Sequence, residues 1–397
     1  MRGRVQVDSV SGRIQSIDKL RGIVIVLMML DHVRDFIHAS SYAIDPLDPR
    51  QTNVLLYVTR WVSHFCAPTF VFLAGVSAWL QLARSNDKRG VAWLLLTRGV
   101  WLIFLENTVI GFGWSFSLHF SFFLQVIWAI GAAMIVLAGL MWLPRAAVLG
   151  IGVGITVGHD LLSRISPDQL GAFADIWKLL NFDSIIQIDG VDVVVVYPAL
   201  AWLGVMCLGY GIGSLFVSDE RRRERLFTAL GSFLLVVFFT LRGFNLYGDP
   251  HLWQPQGTLR DTLMVFFNVE KYPPSLLFLC ITLGPMLLAL PLINRWRGVT
   301  ARVFLTFGSV PFFAYVLHLY IAHILALLLT ILCGASTAAL IDVLNRANFH
   351  PEMLKGTGLP LYVVYPLWLT VLMIVYPLCR WYADLRRRRR DWWLRYL

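Results

Sequence analysis

Residues 273–293 read PPSLLFLCITLGPMLLALPLI, with no charged side chain among them. A helix rising about 1.5 Å per residue covers roughly 30 Å over such a run, the thickness of a bilayer's hydrocarbon layer. Working outward, similar blocks recur along the chain, and residues 226–240 form another. Of the 397 residues, 57% are hydrophobic and 15% charged, against roughly 25% charged in soluble domains. Polar atoms are too few to cover a soluble surface. A strand barrel would need alternating segments of about 10 residues, and these blocks do not alternate. The fold class expected is all-α, a polytopic transmembrane helical bundle of about ten spans at 20–38, 54–83, 91–113, 119–143, 146–163, 191–217, 226–243, 273–293, 304–332 and 361–381. The second block is long enough to leave residues 53–62 as a separate interfacial helix.

The net charge of +10 invites a nucleic-acid reading. The basic residues instead fall beside apolar blocks, as membrane topology requires. Starting with the N-terminus inside puts 23 of the 34 Lys and Arg on the cytoplasmic side. The loop Arg221-Arg222-Arg223-Glu224-Arg225 and the tail residues 386–390 anchor that orientation, and an even number of spans returns the C-terminus to the cytoplasm. The organisation expected is a cytoplasmic segment over 1–19, one membrane domain over 20–381 and a basic tail over 382–397. The polar segment 1–19 does not read as a cleavable signal, so the first apolar block is expected to remain as a span. Cys66, Cys207, Cys280, Cys333 and Cys379 sit singly in apolar segments, without a CxxC pair, and read as buried and inert. The outer stretches 163–190 and 245–272, rich in Trp, Asp, Pro and Gly, are candidates to cap an outward-facing pocket.

The nine histidines (His32, His38, His64, His119, His159, His251, His318, His323 and His350) all fall at mid-membrane or outside in this topology. Ionisable groups within spans are costly and are functional candidates by default. Arg98, Glu106, His318 and His323 belong to that set. The first span carries the sharpest pattern: Leu20-Arg21-Gly22, an apolar run, then Asp31-His32-Val33-Arg34-Asp35-Phe36-Ile37-His38. Eleven helical steps of about 100° bring His32 almost back to the face of Arg21, about 17 Å further along the axis. A cation at one surface and an imidazole half a bilayer away suit an elongated molecule with a phosphate at one end and a reactive group at the other, as in coenzyme A. Asp31 points away from its neighbour His32, and Asp35, at i+3, is the better local partner to orient that imidazole. Arg60 and His64 share a face of the second block, where Pro68 is expected to kink the helix and Ala74, Gly75 and Ala78 to permit close packing. His64 divides between a structural hydrogen bond and catalysis. His318 and His323, five apart, do not share a face as a metal pair would, and core hydrogen bonding suits them better. No metal signature, Walker loop or GxSxG elbow is present. Gly209-Tyr210-Gly211-Ile212-Gly213 reads as helix packing.

The chain resembles the heparan-alpha-glucosaminide N-acetyltransferase catalytic-domain-like family. The resemblance lies in Ser16-Ile17-Asp18-x-Leu20-Arg21-Gly22, the Asp31-His32 pair, Pro68-x-Phe70-Val71-Phe72-Leu73-x-Gly75, Lys271-Tyr272-Pro273-Pro274-Ser275-Leu276, Pro311-Phe312-Phe313 through His318-Leu319-Tyr320, and Arg390-Asp391-Trp392-Trp393. The Arg21-x10-His32 spacing is also similar to the basic-x10-His motif of membrane acyltransferases that O-acetylate surface sugars.

The resemblance implies transfer of an acyl group, usually acetyl, from cytoplasmic acyl-CoA to an amine or hydroxyl of an extracytoplasmic sugar or envelope glycan, in a bacterial inner membrane. It implies Arg21 at the CoA phosphates and His32 as the catalytic imidazole, as general base or transient acyl carrier. In the lysosomal enzyme the position matching His32 is not histidine, and the active-site histidine precedes an Ala-Ser pair. Here His38-Ala39-Ser40 has that look, so the assignment is shared between His32 and His38, with Asp31 and Asp35 beside them. Arg34, Arg60, His64, Arg98, Glu106 and His318 are candidates for substrate binding or support. Expected partners are acyl-CoA, a glycan or amino sugar acceptor and membrane lipid, with a homodimer left open; nucleic acid and metal are not expected. A transporter or flippase for a small or lipid-linked substrate is the rival reading, and a non-catalytic scaffold the third.

Overall fold

The computed structural model describes residues 14–39, 44–118, 122–334, 336–349, 358–389, 391 and 394. Residues 1–13, His119, His350 and the residues 390, 392 and 393 of the tail motif lie outside the described residues.

Helix α1 (Gln15–Ile37) is followed by α2 (Val54–Trp61), a 3₁₀ turn (Val62–Phe65) and α3 (Cys66–Ser85). The separate short helix expected over 53–62 is present, capped by Asn53, whose side chain accepts from Leu56 N–H at 3.0 Å. The distortion expected at Pro68 takes the form of the 3₁₀ turn just before α3, within a helical run from Val54 to Ser85. Pro68 is the third residue of α3, where a missing N–H costs nothing. Its ring would press on the carbonyl four residues back, at His64, and the chain tightens there. After α4 (Lys88–Leu105) come a π turn (Glu106–Ile110) and α5 (Gly111–Ser115). Then follow β1 (Phe122–Leu124), α6 (Val126–Leu140), α7 (Arg145–Leu162), a 3₁₀ segment (Pro167–Phe173), α8 (Ala174–Asn181), β2 (Ser184–Ile188) and β3 (Val191–Val195). The remainder is α9 (Ala199–Ile212), α10 (Glu220–Gly243), α11 (Leu259–Phe267), α12 (Leu276–Arg295), α13 (Val299–Ser309), α14 (Pro311–Leu332), α15 (Val343–Phe349) and α16 (Leu361–Arg388).

The chain is an all-α polytopic membrane protein. Among the described residues, eight helical segments are long and apolar enough to cross a bilayer. Each of the ten expected spans holds apolar helix, but two are not plain spans. Charges crowd α1, and α6 has only 15 residues. Two further boundaries move. Residues 122–124 and 191–195 are strands of a small sheet ordered β1-β3-β2, with β1 parallel and β2 antiparallel to β3. Asp189 and Gly190, at φ of 48° and 80°, make the two-residue turn between β2 and β3, and the β-branched run that follows suits a strand better than a helix. The expected span 304–332 is broken at Val310, whose φ and ψ of −135° and 53° are not helical. Pro311 disfavours the α region for the residue before it and starts α14 at its first position.

Helix α1 lies at the centre, against α3, α12, α13, α14 and α16. Its approach to α13 is a backbone contact. A Cβ on Gly22 would stand 1.8 Å from Phe304 O, and one on Gly308 1.6 Å from Asp18 O. Helices α3 and α9 do the same through Gly75 and Gly209, whose Cβ atoms would stand 2.0 Å from Met206 O and Phe72 O. The glycines at 209–213 are therefore packing residues, as expected. No cysteine is disulfide-bonded; four are buried, while Cys333, at the end of α14, is exposed, contrary to the uniform burial expected. One end of the bundle gathers the basic segments: Lys19 Nζ donates to Trp296 O at 2.8 Å and Arg295 pairs with Glu224 at 2.7 Å. The opposite end is capped by the sheet, α8 and residues 245–272.

Gly308→Ala should destabilise the protein by about 1–3 kcal/mol or more, because backbone cannot yield as a side chain can. Gly154→Ala, with open space around it, should be neutral. Thermal unfolding of the two variants in one detergent checks this.

Candidate active site

Because α1 is a continuous helix, Arg21 and His32 stand on one face of it, and each opens onto a different cavity. The first cavity, of about 540 Å³, reaches the basic end of the bundle. Arginines from four helices line it: Arg21 of α1, Arg84 of α3, Arg98 of α4 and Arg386 of α16. Arg21 is held by Ser77 Oγ, by Leu73 O at 3.2 Å and by Asp18 at 3.5 Å. The second cavity, of about 370 Å³, lies under the cap and is lined by His32, Asp31, Arg60, Tyr197, Lys271 and Tyr272 among others. Met28, Phe70, Val126 and Tyr315 line both cavities. The two spaces therefore adjoin at the level of His32.

His32 Nδ1 is 2.9 Å from His318 Nε2, with the rings stacked at 5.0 Å. His318 Nδ1 lies 2.9 Å from Ala314 O. A carbonyl only accepts, so Nδ1 of His318 carries the proton, and in the neutral ring its Nε2 is an acceptor. His32 Nδ1 must then donate to it, which leaves the His32 Nε2 lone pair available. This replaces the expected orienting role of Asp35. Asp35 instead accepts from Arg34 Nη2 at 2.5 Å. Trp114 and Tyr315 stand edge-on to the His32 ring at 4.9 and 5.9 Å and fix its remaining faces.

Around this imidazole runs a chain of charges. Asp31 Oδ1 accepts from Arg34 at 2.9 Å, and its Oδ2 from Arg60 at 2.5 Å. Arg34 continues to Asp35. Buried charges persist only when paired in this way. Asp31, His32, Arg34, Asp35 and Arg60 are thus brought together.

Other candidates are placed elsewhere. His38, at the end of α1, lines neither cavity, and its backbone bridges to Leu359. His64 is buried beside Phe278, and among the described residues neither ring nitrogen has a hydrogen-bond partner. Arg98 lines the first cavity rather than the second. Glu106 lines neither; its Oε2 accepts from Trp128 N–H at 2.8 Å, capping the N-terminus of α6 from the π turn. His323 sits between the carbonyls of Gly113 and Leu340, at 2.9 and 3.1 Å, as core bonding predicts. Among the described residues no group of three His, Cys, Asp or Glu could hold a metal.

The cap contributes Arg242, Asp249 and Glu270, which the sequence did not single out. Buried Arg242 donates to the carbonyls of His251, Val265, Phe266 and Asn268 at 2.6–3.0 Å. Asp249 accepts from Glu270 N–H and Ser275 Oγ, and Glu270 accepts from the N–H groups of Lys271 and Tyr272. This scaffold sets Lys271 and Tyr272 into the second cavity. Its sequence signals are the polar, Pro- and Gly-bearing character of 245–272 and the Lys271–Leu276 motif of the family resemblance. Near Glu270, burial and that carboxylate raise the Asp183 carboxyl to about 6.

Two outcomes follow from these contacts. Asp31→Asn should cost about 3–5 kcal/mol, since it weakens the partner of two buried guanidiniums, and Asp35→Asn, which serves one, should cost less; thermal unfolding ranks them. A raised carboxyl favours the fold when protonated, so its contribution is full below about pH 4 and is lost as pH rises through about 6. Asp183→Asn should flatten the pH dependence of thermal stability in that window.

The family model described as "Heparan-alpha-glucosaminide N-acetyltransferase, catalytic" matches residues 13–245. No curated protein matches the chain. The match covers more than half of the sequence and includes α1, so the chain belongs to that family of membrane acetyltransferases.

Proposed function

We propose that this member of the heparan-alpha-glucosaminide N-acetyltransferase family moves an acetyl group from acyl-CoA in the first cavity to an amine or hydroxyl of a glycan or amino sugar in the second, with His32 as general base. The observation that carries the reading is the available His32 Nε2 lone pair at the level where the cavities adjoin. Arg21, Arg84, Arg98 and Arg386 offer guanidinium donors for the diphosphate and 3′-phosphate of CoA. The pantetheine arm then runs along α1 past Met28 and Phe70, which suits the roughly 17 Å between Arg21 and His32 along the helix axis.

In the reaction, the acceptor nitrogen or oxygen attacks the thioester carbonyl while His32 Nε2 takes its proton. The tetrahedral adduct collapses, the C–S bond breaks, and the imidazolium returns the proton to the CoA thiolate. The products are the acetylated acceptor and CoA–SH. His318 holds His32 in the required tautomer. The distribution of Lys and Arg supports donor entry from the cytoplasm and an extracytoplasmic acceptor, with both termini inside. A bacterial inner membrane is the setting that accords with the resemblance.

Acetyl-CoA turnover by the purified protein in nanodiscs tests the proposal. His32→Ala should slow CoA release by about 10²–10⁴-fold, whereas His38→Ala should retain it. Loss in His38→Ala alone would move the chemistry to His38. No turnover by folded protein with any acyl-CoA, and no CoA binding, would favour a transporter. Arg21→Ala should weaken acetyl-CoA binding while the protein stays folded; unchanged affinity would remove Arg21 from the donor site. Cysteine-accessibility labelling should find 221–225 on the cytoplasmic face and 245–272 outside, and the reverse would invert the sidedness.

A further inference from the structure

We infer that the second cavity contains an anion subsite, built on Lys271, so that the acceptor carries a carboxylate, phosphate or sulfate beside the group that is acetylated. The inference rests on the acyl-transfer reading for the word acceptor, but the subsite itself is a matter of charge and burial.

The described charged side chains lining this cavity are Asp31, Asp35, Arg34, Arg60 and Lys271. Both carboxylates are already engaged: Asp31 by Arg34 and Arg60, Asp35 by Arg34. Two guanidiniums balance two carboxylates, and the ammonium of Lys271 is left over. Lys271 is only 8% exposed. Among the described residues, no carboxylate lies within ion-pair distance of its Nζ. Its ammonium lies over the Tyr272 ring, 5.0 Å from the ring centre. Arg60 and Tyr272 line the same cavity.

Asp31 and Asp35 act on this ammonium across the cavity rather than in contact and already hold two guanidiniums, and a buried ammonium with no anion in contact is expensive unless something else supplies the charge. Glu270, adjacent in sequence, does not do so, because its carboxylate accepts two backbone N–H groups and faces His251. The cap scaffold instead holds Lys271 at the cavity wall. An anion entering there would meet Lys271, with Tyr272 and Arg60 lining the same cavity. Gln125 and Tyr197, on the same wall, offer neutral donors and acceptors for sugar hydroxyls. The chemistry is shared by two sources, a soluble acidic or phosphorylated sugar and an anionic lipid-linked headgroup.

Equilibrium binding of radiolabelled glucosamine 6-phosphate and of glucosamine to the full chain in phosphatidylcholine nanodiscs tests the subsite without requiring turnover. Wild type should bind the phosphate ester at least about tenfold more tightly. Lys271→Met should bring that ratio close to one, and Lys271→Arg should restore it, with acetyl-CoA affinity unchanged in both. Equal affinity for the two sugars in wild type, or a ratio that survives Lys271→Met, would overturn the inference. The wild-type comparison decides the matter even if a variant fails to fold. Repeating it with phosphatidylglycerol in the disc separates the sources: competition from the lipid points to a headgroup, and an unchanged Kd to a soluble sugar. Selective anion binding without any acetyl transfer would keep the subsite and sink the acyl-transfer reading. Transfer to both sugars with no preference in binding or rate would do the reverse.

Discussion

Helix α1 carries Asp18, Lys19, Arg21, Asp31, His32, Arg34 and Asp35 through the interior of a membrane protein, and each needs a partner there because lipid provides none. The surrounding architecture follows from that constraint. Lys19 is met by carbonyls at the end of α12, Arg21 by α3, Asp31 by Arg60 of α2, and His32 by His318 of α14. To bring so many elements within hydrogen-bonding distance of one helix, the neighbours must come close. Gly22 and Gly308 allow the α1–α13 contact, and Gly75 and Gly209 set α3 against α9. The charged helix is therefore sheathed by other helices, which separates it from ordinary lipid-facing spans.

The same constraint shapes the chemistry. A polar helix kept away from lipid leaves space on either side of its midpoint, one cavity rich in arginine and one walled by carboxylates, guanidiniums and tyrosines. His32 stands where they adjoin. The hydrogen bond from its Nδ1 to His318, itself fixed by a backbone carbonyl, turns the reactive nitrogen outward. A carboxylate in the place of His318 would favour a charged imidazole, whereas a second neutral imidazole selects the tautomer without stabilising that charge. The cap closes the second cavity through a scaffold centred on Arg242, whose guanidinium gathers four loop carbonyls.

Some expectations missed, or took another form, for local reasons. The expected kink at Pro68 is expressed as a tightened 3₁₀ turn over Val62–Phe65, which includes the carbonyl four residues before the proline. Apolar runs ending in strands, as at 191–195, match helical spans in hydropathy alone, although the Asp189-Gly190 pair before that run is a hairpin signal. Glu106, a candidate for substrate binding or support, accepts from Trp128 N–H at the start of α6. Asp35 was the nearer candidate to orient His32 because sequence spacing exposes only partners on the same helix.

By itself the sequence determined the class of protein, the positions of its apolar helices, the isolation of Arg21 and His32 on one face of α1, and the packing role of the glycines at 209–213. These are properties of short-range pattern: length against bilayer thickness, helical period, residue size. Only the tertiary structure decided that His318, 286 residues away, pairs with His32, that Asp31 is shared between two arginines, and that Lys271 enters the cavity with no carboxylate in contact among the described residues. Those are contacts between distant segments, and no periodicity within one segment encodes which distant side chain will meet it.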